Sequence, residues 1–262
     1  MNMPCTLCSD ATEPLFTHRI LKKYDCRYYL CTTCGLLQTE QPYWLEEAYA
    51  SSIALADTGI LQRNIKISGQ LSKLLFLAFT TQASYADIAG GYGLLVRLMR
   101  DKGYDFFWHD PYTENIHARG FEAEFSGTTT YEAVTAFEVL EHLRNPLDFI
   151  DNALHAANTR TIILSTELFE GKPPQPENWW YYSFATGQHI AFYQRKTLSY
   201  LADRLGLTLF SHKNVHIMTD RKLHPAMLKL ALSSRTDWLL NRCMKKKLAS
   251  KTMADHNQLL LS

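Results

Sequence analysis

The stretch "ADIAGGYG", residues 86–93, places Ala89, Gly90, Gly91 and Gly93 between a short apolar run and the apolar-periodic segment Leu94 to Lys102. A strand that runs through small residues into a helix reads as the first turn of a β-α-β unit, where bare main chain lets another group approach closely. The alternation continues downstream. "DFFWHD", a short strand near "FEAEF", "EAVTAFEV" followed by a helix from Pro146 to Ala157, and "TIILST" predict an α/β fold with a doubly wound parallel sheet. In such a sheet a ligand sits beyond the carboxyl ends of the strands, where the first strand turns into its helix.

Two cofactor classes use a glycine-rich first turn. Dinucleotide folds want G-x-G-x-x-G or G-x-G-x-x-A, whose last small residue lets helix and strand approach. Here Gly91-Tyr-Gly93 is followed at that position by the branched Val96, which disfavours a dinucleotide. What remains is D-x-[G/A]-x-G-x-G, carried by Asp87, Ala89, Gly91 and Gly93. The alternative is a tight turn without a ligand.

With these residues the chain resembles the class I S-adenosylmethionine (SAM) dependent methyltransferases, with Ala89 standing where glycine is usual. The resemblance extends to Asp110, placed to accept both ribose hydroxyls, because one carboxylate takes two hydrogen bonds at once. It continues through "EVLEHLRNP" (138–146), "HIAFYQRKTLSYLADRLGL" (189–207) and the N-terminal pattern C-x-x-C…C-x-x-C-G-L. It implies a Rossmann-like, mostly parallel seven-stranded core with a small N-terminal zinc ribbon. It also implies SAM held by Asp87, Ala89, Gly91, Gly93, Asp110, Pro111, Phe137, Glu138 and His142. For His142, beside Glu141 at a strand-to-helix junction, the other reading is a residue that caps or orients its loop.

Methyl transfer from a sulfonium is an in-line displacement, and alignment alone contributes on the order of 7 to 11 kcal/mol. A hydroxyl or amine acceptor must also shed a proton to a base of near-neutral pKa. His189 is the candidate base, since "ATGQHIAFYQ" follows the fifth strand and a long loop, with capping of the next helix as the alternative. In that loop Trp179, Trp180, Tyr181 and Tyr182 are candidates for the wall against a small-molecule substrate, or else pack down onto the sheet. The zinc-bearing relatives include deoxysugar C-methyltransferases with Tyr-x-Glu-His where this chain reads Thr186-Gly-Gln188-His189. The lost phenol and acid weigh against proton abstraction from carbon. O- or N-methylation of a sugar, nucleotide-linked intermediate or natural product is the expectation.

Cys5-x-x-Cys8 and Cys31-x-x-Cys34 flank a stretch rich in aromatic and β-branched residues, the layout of two zinc knuckles joined by a hairpin. Four thiolates suit tetrahedral Zn²⁺, and a segment this short has too little core to fold alone, so the metal is expected to be structural. A redox dithiol would need only one pair. Gly35 is expected to turn backbone N–H groups toward sulfur, and Cys26 to be a packed residue of the second strand.

Without a secretory start or an apolar run longer than about "LLFLAF" (74–79), the expected location is cytoplasmic, with no transmembrane segment. Residues 213–251 carry ten basic and two acidic side chains, although the whole chain has a net charge of only +1. Leu228, Leu232, Leu240, Met244 and Leu248 form an apolar stripe there, read as one helix that docks on the core with a solvated basic face, or else lies on a membrane surface, a phosphate-rich substrate or RNA. The organisation expected is a zinc ribbon over 1–40, a helical lead-in over 41–82 capped by Asp57 or Thr58, the catalytic core over 83–218 and a basic helical segment over 219–262. A ribosomal-RNA base methyltransferase is disfavoured by the near-neutral charge and by the absence of a basic zinc module, and no nucleic-acid partner is expected. The reading from another class is an inactive zinc-ribbon interaction protein, which Ala89 suggests and the intact Asp87, Gly91, Gly93 and Asp110 oppose.

Overall fold

The computed structural model describes residues 3–50 and 57–261. In chain order the elements are β1 (Thr12–Ile20), β2 (Tyr24–Cys31), β3 (Leu37–Thr39), α1 (Leu45–Ala48), α2 (Ile60–Ala78), β4 (Ser84–Ile88), α3 (Leu94–Asp101), β5 (Asp105–His109) and β6 (Ala133–Phe137). Then follow α4 (Pro146–Ala156), β7 (Thr161–Ser165), β8 (Ala191–Phe192), α5 (Arg195–Arg204), β9 (Thr208–His212), β10 (Val215–Thr219), α6 (Pro225–Ala231), α7 (Asp237–Lys247) and α8 (Thr252–Leu260).

Two sheets result. One has the order β1-β2-β3-β8, the other β5-β4-β6-β7-β10-β9. In the larger sheet β4 runs parallel to both β5 and β6, while β9 and β10 form an antiparallel hairpin. Among the described residues the sheet therefore has six strands where seven were expected. "FEAEF" contributes only a bridge from Trp108 to Glu122, because its backbone bonds to β5 are the two made with Trp108, whose N–H donates to the Phe121 carbonyl and whose carbonyl accepts from Ala123, while the Phe121 N–H turns back to Ala118.

The contacts divide the chain into two compact units that cut across the linear organisation. Among the described residues one comprises 3–50, 137–152 and 164–219, the other 57–136, 153–163 and 220–261.

In the first unit β1, β2 and β3 are joined to β8 through Leu37↔Phe192 and Gln38↔Ala191. Beneath that sheet Ile20, Tyr28, Leu37, Trp44, Phe169, Tyr181, Tyr182 and Phe192 share one apolar cluster, to which Cys26 also belongs. Burial pushes the Cys26 thiol up to about 12, as suits a packing residue.

In the second unit the apolar run of β4 is buried, and α3 turns Leu95, Val96 and Met99 inward. α2 packs on α3, α6 and α7. Neither expected cap begins α2. Gly59 stands at its N-cap, and Asp57 grips Arg63 with both carboxylate oxygens. The part of the expected lead-in over 51–56 lies outside the described residues.

The expected stripe runs over two helices, α6 and α7, not one, broken where Ser233 caps a 3-10 turn, and α8 follows after Leu248 becomes extended. Leu228, Leu232 and Met244 of the expected stripe are buried, and Lys245 to Lys247 face solvent. No helix among the described residues is long and apolar enough to cross a membrane.

Candidate functional site

In the second unit β4 delivers the glycine turn. Ala89, Gly91 and Gly93 all hold left-handed φ, at 58°, 54° and 80°. A Cβ at Gly93 would lie 2.8 Å from Asn115 Oδ1 and 3.0 Å from the Ala118 Cβ, so the loop's own packing already demands glycine there. The Gly91 amide donates to one oxygen of Asp110 at 2.9 Å and the Tyr112 amide to the other at 2.8 Å. Trp108 Nε1 donates to the Gly91 carbonyl at 2.8 Å. Asp110 is thus fixed against the glycine turn by two amides, and each of its oxygens retains a further lone pair for a hydroxyl.

Asp87 is buried at the carboxyl end of β4 and accepts a hydrogen bond from the Thr135 hydroxyl. Burial pushes its carboxyl up to about 7, the charge of Asp110 acts in the same direction, and Thr135 opposes both. Pro111, which follows Asp110, is exposed.

In the first unit Phe137 ends β6, and the next residue, Glu138, holds a left-handed φ of 55°. Its amide donates to Ser165 Oγ at 2.9 Å, and the Ser165 hydroxyl donates to Glu138 Oε1 at 2.6 Å. A 3-10 turn over Leu140–His142 follows. It turns Glu141 inward, and its carboxylate Oε2 is buried with no hydrogen-bond partner among the described residues. Burial, reinforced by the charge of Glu138, pushes the Glu141 carboxyl up to about 8.

His142 Nδ1 lies 3.1 Å from the Gln188 carbonyl and 2.9 Å from the Tyr49 hydroxyl. His189 Nδ1 lies 2.7 Å from the Tyr181 carbonyl. A carbonyl only accepts, so both rings are assigned a proton on Nδ1 and a lone pair on Nε2. Burial pushes His142 down to about 4, so it stays neutral, with the Gln188 carbonyl acting in the opposite sense. The two imidazoles meet edge to face at 4.9 Å. One ligating atom from each of Glu141, His142 and His189 falls within a set spanning no more than 4.8 Å.

The four aromatics separate. Trp179 and Tyr182 pack into the core cluster, and Trp180 is 75% exposed. Tyr181, also a member of that cluster, lies against His189, with ring centroids 4.7 Å apart. The sequence reading passed over Glu141, Tyr49 and Gln188. An acid inside the apolar run "FEVLEHL" was a legible signal for Glu141, whereas nothing local marks Tyr49, which reaches His142 only through the fold.

At the N-terminus the four Sγ atoms of Cys5, Cys8, Cys31 and Cys34 lie within 4.8 Å of one another, with Cys5–Cys34 at 3.5 Å and Cys8–Cys31 at 3.4 Å. Thiolates around a tetrahedral zinc at about 2.3 Å would stand about 3.8 Å apart, so the donor set fits that ion. The Leu7 amide points at Cys5 Sγ at 3.4 Å. Gly35 has the expected left-handed φ of 78°, but its own N–H goes to the Cys31 carbonyl rather than to sulfur.

Solved structures with a similar core include magnesium protoporphyrin IX methyltransferase from Synechocystis with bound SAM, at 13% identity, covering 68% of this chain and 90% of that one, with a TM-score of 0.39. An O-methyltransferase family protein from Burkholderia thailandensis has 16% identity, coverage of 69% and 68%, and a TM-score of 0.45. Human N-acetylserotonin methyltransferase in complex with SAM has 14% identity, coverage of 68% and 66%, and a TM-score of 0.46. No curated protein matches the chain in sequence. The profile of a family described as "Methyltransferase domain" matches residues 62–212, more than half of the chain. With that profile over more than half of its length, the chain belongs to the methyltransferase-domain family.

Proposed function

We propose that the chain methylates an oxygen or nitrogen of a small molecule, with SAM resting on the glycine turn and Asp110 gripping its ribose diol. The observation that carries this reading for the acceptor is the convergence of Glu141, His142 and His189 in one unit, with Tyr181 beside them. With no ion at the two histidines, the Nε2 lone pair of His189 is the base. The imidazole takes the acceptor proton, the freed lone pair attacks the sulfonium methyl carbon, and the C–S electrons return to sulfur. His142, held neutral and oriented by Gln188 and Tyr49, supports the ring of His189.

Support for a structural zinc comes from the four converging thiols, which leave no open position for chemistry on the metal. Reduced thiols of that kind suit the cytoplasm.

Calorimetry with SAM, followed by a methyl-transfer screen over hydroxyl- and amine-bearing sugars and natural products, tests the reading. His189→Ala should keep cofactor binding and lose about 10²- to 10⁴-fold in turnover. Absence of heat with SAM from zinc-loaded protein would overturn it.

A further inference from the structure

Three donors in the first unit have the arrangement of ligands. Glu141, His142 and His189 bring a carboxylate oxygen and two ring nitrogens within 4.8 Å of one another. The buried Glu141 Oε2 has no hydrogen-bond partner among the described residues, and a buried carboxyl oxygen left so is costly unless a donor or a cation meets it. Each imidazole turns its Nδ1 to a backbone carbonyl, of Gln188 for His142 and of Tyr181 for His189. That outer contact is the one that metal-bound histidines make, since it fixes the tautomer and directs the other nitrogen at the ion.

We infer that Glu141, His142 and His189 form a second metal site, taking a divalent first-row transition ion, separate from the four-cysteine cluster. The donor chemistry distinguishes the two sites. Four thiolates close a tetrahedral zinc, whereas two imidazoles and one carboxylate leave coordination positions open. The inference rests on the methyltransferase reading and deepens it, because the open position selects a hydroxyl acceptor over an amine. An alcohol or phenol oxygen bound there is acidified by the cation and gives its proton to water. Its lone pair then forms the new O–C bond as the methyl–sulfur bond breaks, yielding a methyl ether, the demethylated cofactor and one proton. In this loaded state His189 is a ligand and not the base.

The test uses the full chain carrying one zinc, titrated with Co²⁺, with metal equivalents counted after gel filtration and the visible spectrum recorded. The expected result is one cobalt equivalent whose ligand-field bands lack thiolate charge transfer. Glu141→Gln and His189→Asn should each weaken that uptake at least tenfold while retaining the zinc, the melting transition and the heat of SAM binding. The inference is overturned if the wild-type chain takes up no cobalt, if cobalt appears only with thiolate charge transfer, or if both variants bind it as the wild type does. SAM calorimetry without cobalt separates the two ideas. Heat without a second ion rejects this site and leaves the methyltransferase reading standing, and a second ion without heat does the reverse.

Discussion

Ala89 holds a left-handed φ of 58° at the position where the family's turn usually has glycine. A Cβ in that conformation costs roughly 1 kcal/mol, so Ala89→Gly should leave stability unchanged or raise it by up to about 1 kcal/mol, with SAM affinity retained. Urea unfolding of the two proteins checks this. Asp87 yields a pH prediction. Burial keeps it protonated in the folded chain up to about pH 7, whereas the unfolded chain ionises near 3.8. Between those values the folded state binds more protons, so stability is fully present below the lower value and lost as pH rises through the upper one. The melting temperature of the wild type minus that of Asp87→Asn should therefore fall steadily between about pH 4 and about pH 7 and level off above. A difference independent of pH would reject the assignment. At this scale the types and spacing of Asp87, Gly91, Gly93 and Asp110 were legible in the sequence. That Gly93 must clear Asn115 and Ala118 was not, because those neighbours meet it only once the following loop has folded back.

Among the elements, α8 is pinned by the buried carboxylate of Asp255, beside the Thr252 hydroxyl that donates to Asp101 at 2.7 Å. Asp255 accepts from Arg100 Nε and Nη2 at 2.8 Å and 2.7 Å and from Arg97 Nη2 at 2.8 Å, both arginines projecting from α3. The Arg100 guanidinium also lies 3.7 Å from the ring centroid of Phe121. Asp255→Ala would leave Nε and Nη2 of the buried Arg100 without their acceptor, while its Nη1 keeps Asp105 and the Phe106 carbonyl, and should cost about 1 to 3 kcal/mol. Hydrogen exchange should show α8 losing protection ahead of α3, and equal protection of α8 in the variant would contradict the role. This staple also shows why the C-terminal segment was misread as one helix. Apolar residues four apart described the buried Leu228, Leu232 and Met244 correctly. The breaks depend on the Ser233 cap and on the extended Leu248, which hydrophobic period does not register. Likewise "FEAEF" has strand composition, yet its partner offers only Trp108, so pairing stops at a bridge.

For the whole molecule, the cysteine cluster and the histidine cluster belong to one unit assembled from three stretches of chain. The ribbon spacing was readable from Cys-x-x-Cys alone. Its union with residues 137–152 and 164–219 was not, because the joining pair, Leu37 with Phe192, carries no mark beyond being apolar. Structural zinc contributes on the order of 10 kcal/mol to the folding of a small domain. Stripping it with a strong chelator should therefore abolish the cooperative melting of this unit and release one equivalent of zinc, as a colorimetric chelator would read.

The strand pairing also sets a timetable for the newborn polypeptide. The three N-terminal strands leave the ribosome early, but the hydrogen-bonding edge of β3 has no neighbour until Ala191 and Phe192 follow. Until then an exposed edge is available to other chains, although β1, β2 and β3 can already pair with one another and bring the four cysteines together. Ribosomes arrested before and after Phe192 should thus display nascent chains of sharply different resistance to protease.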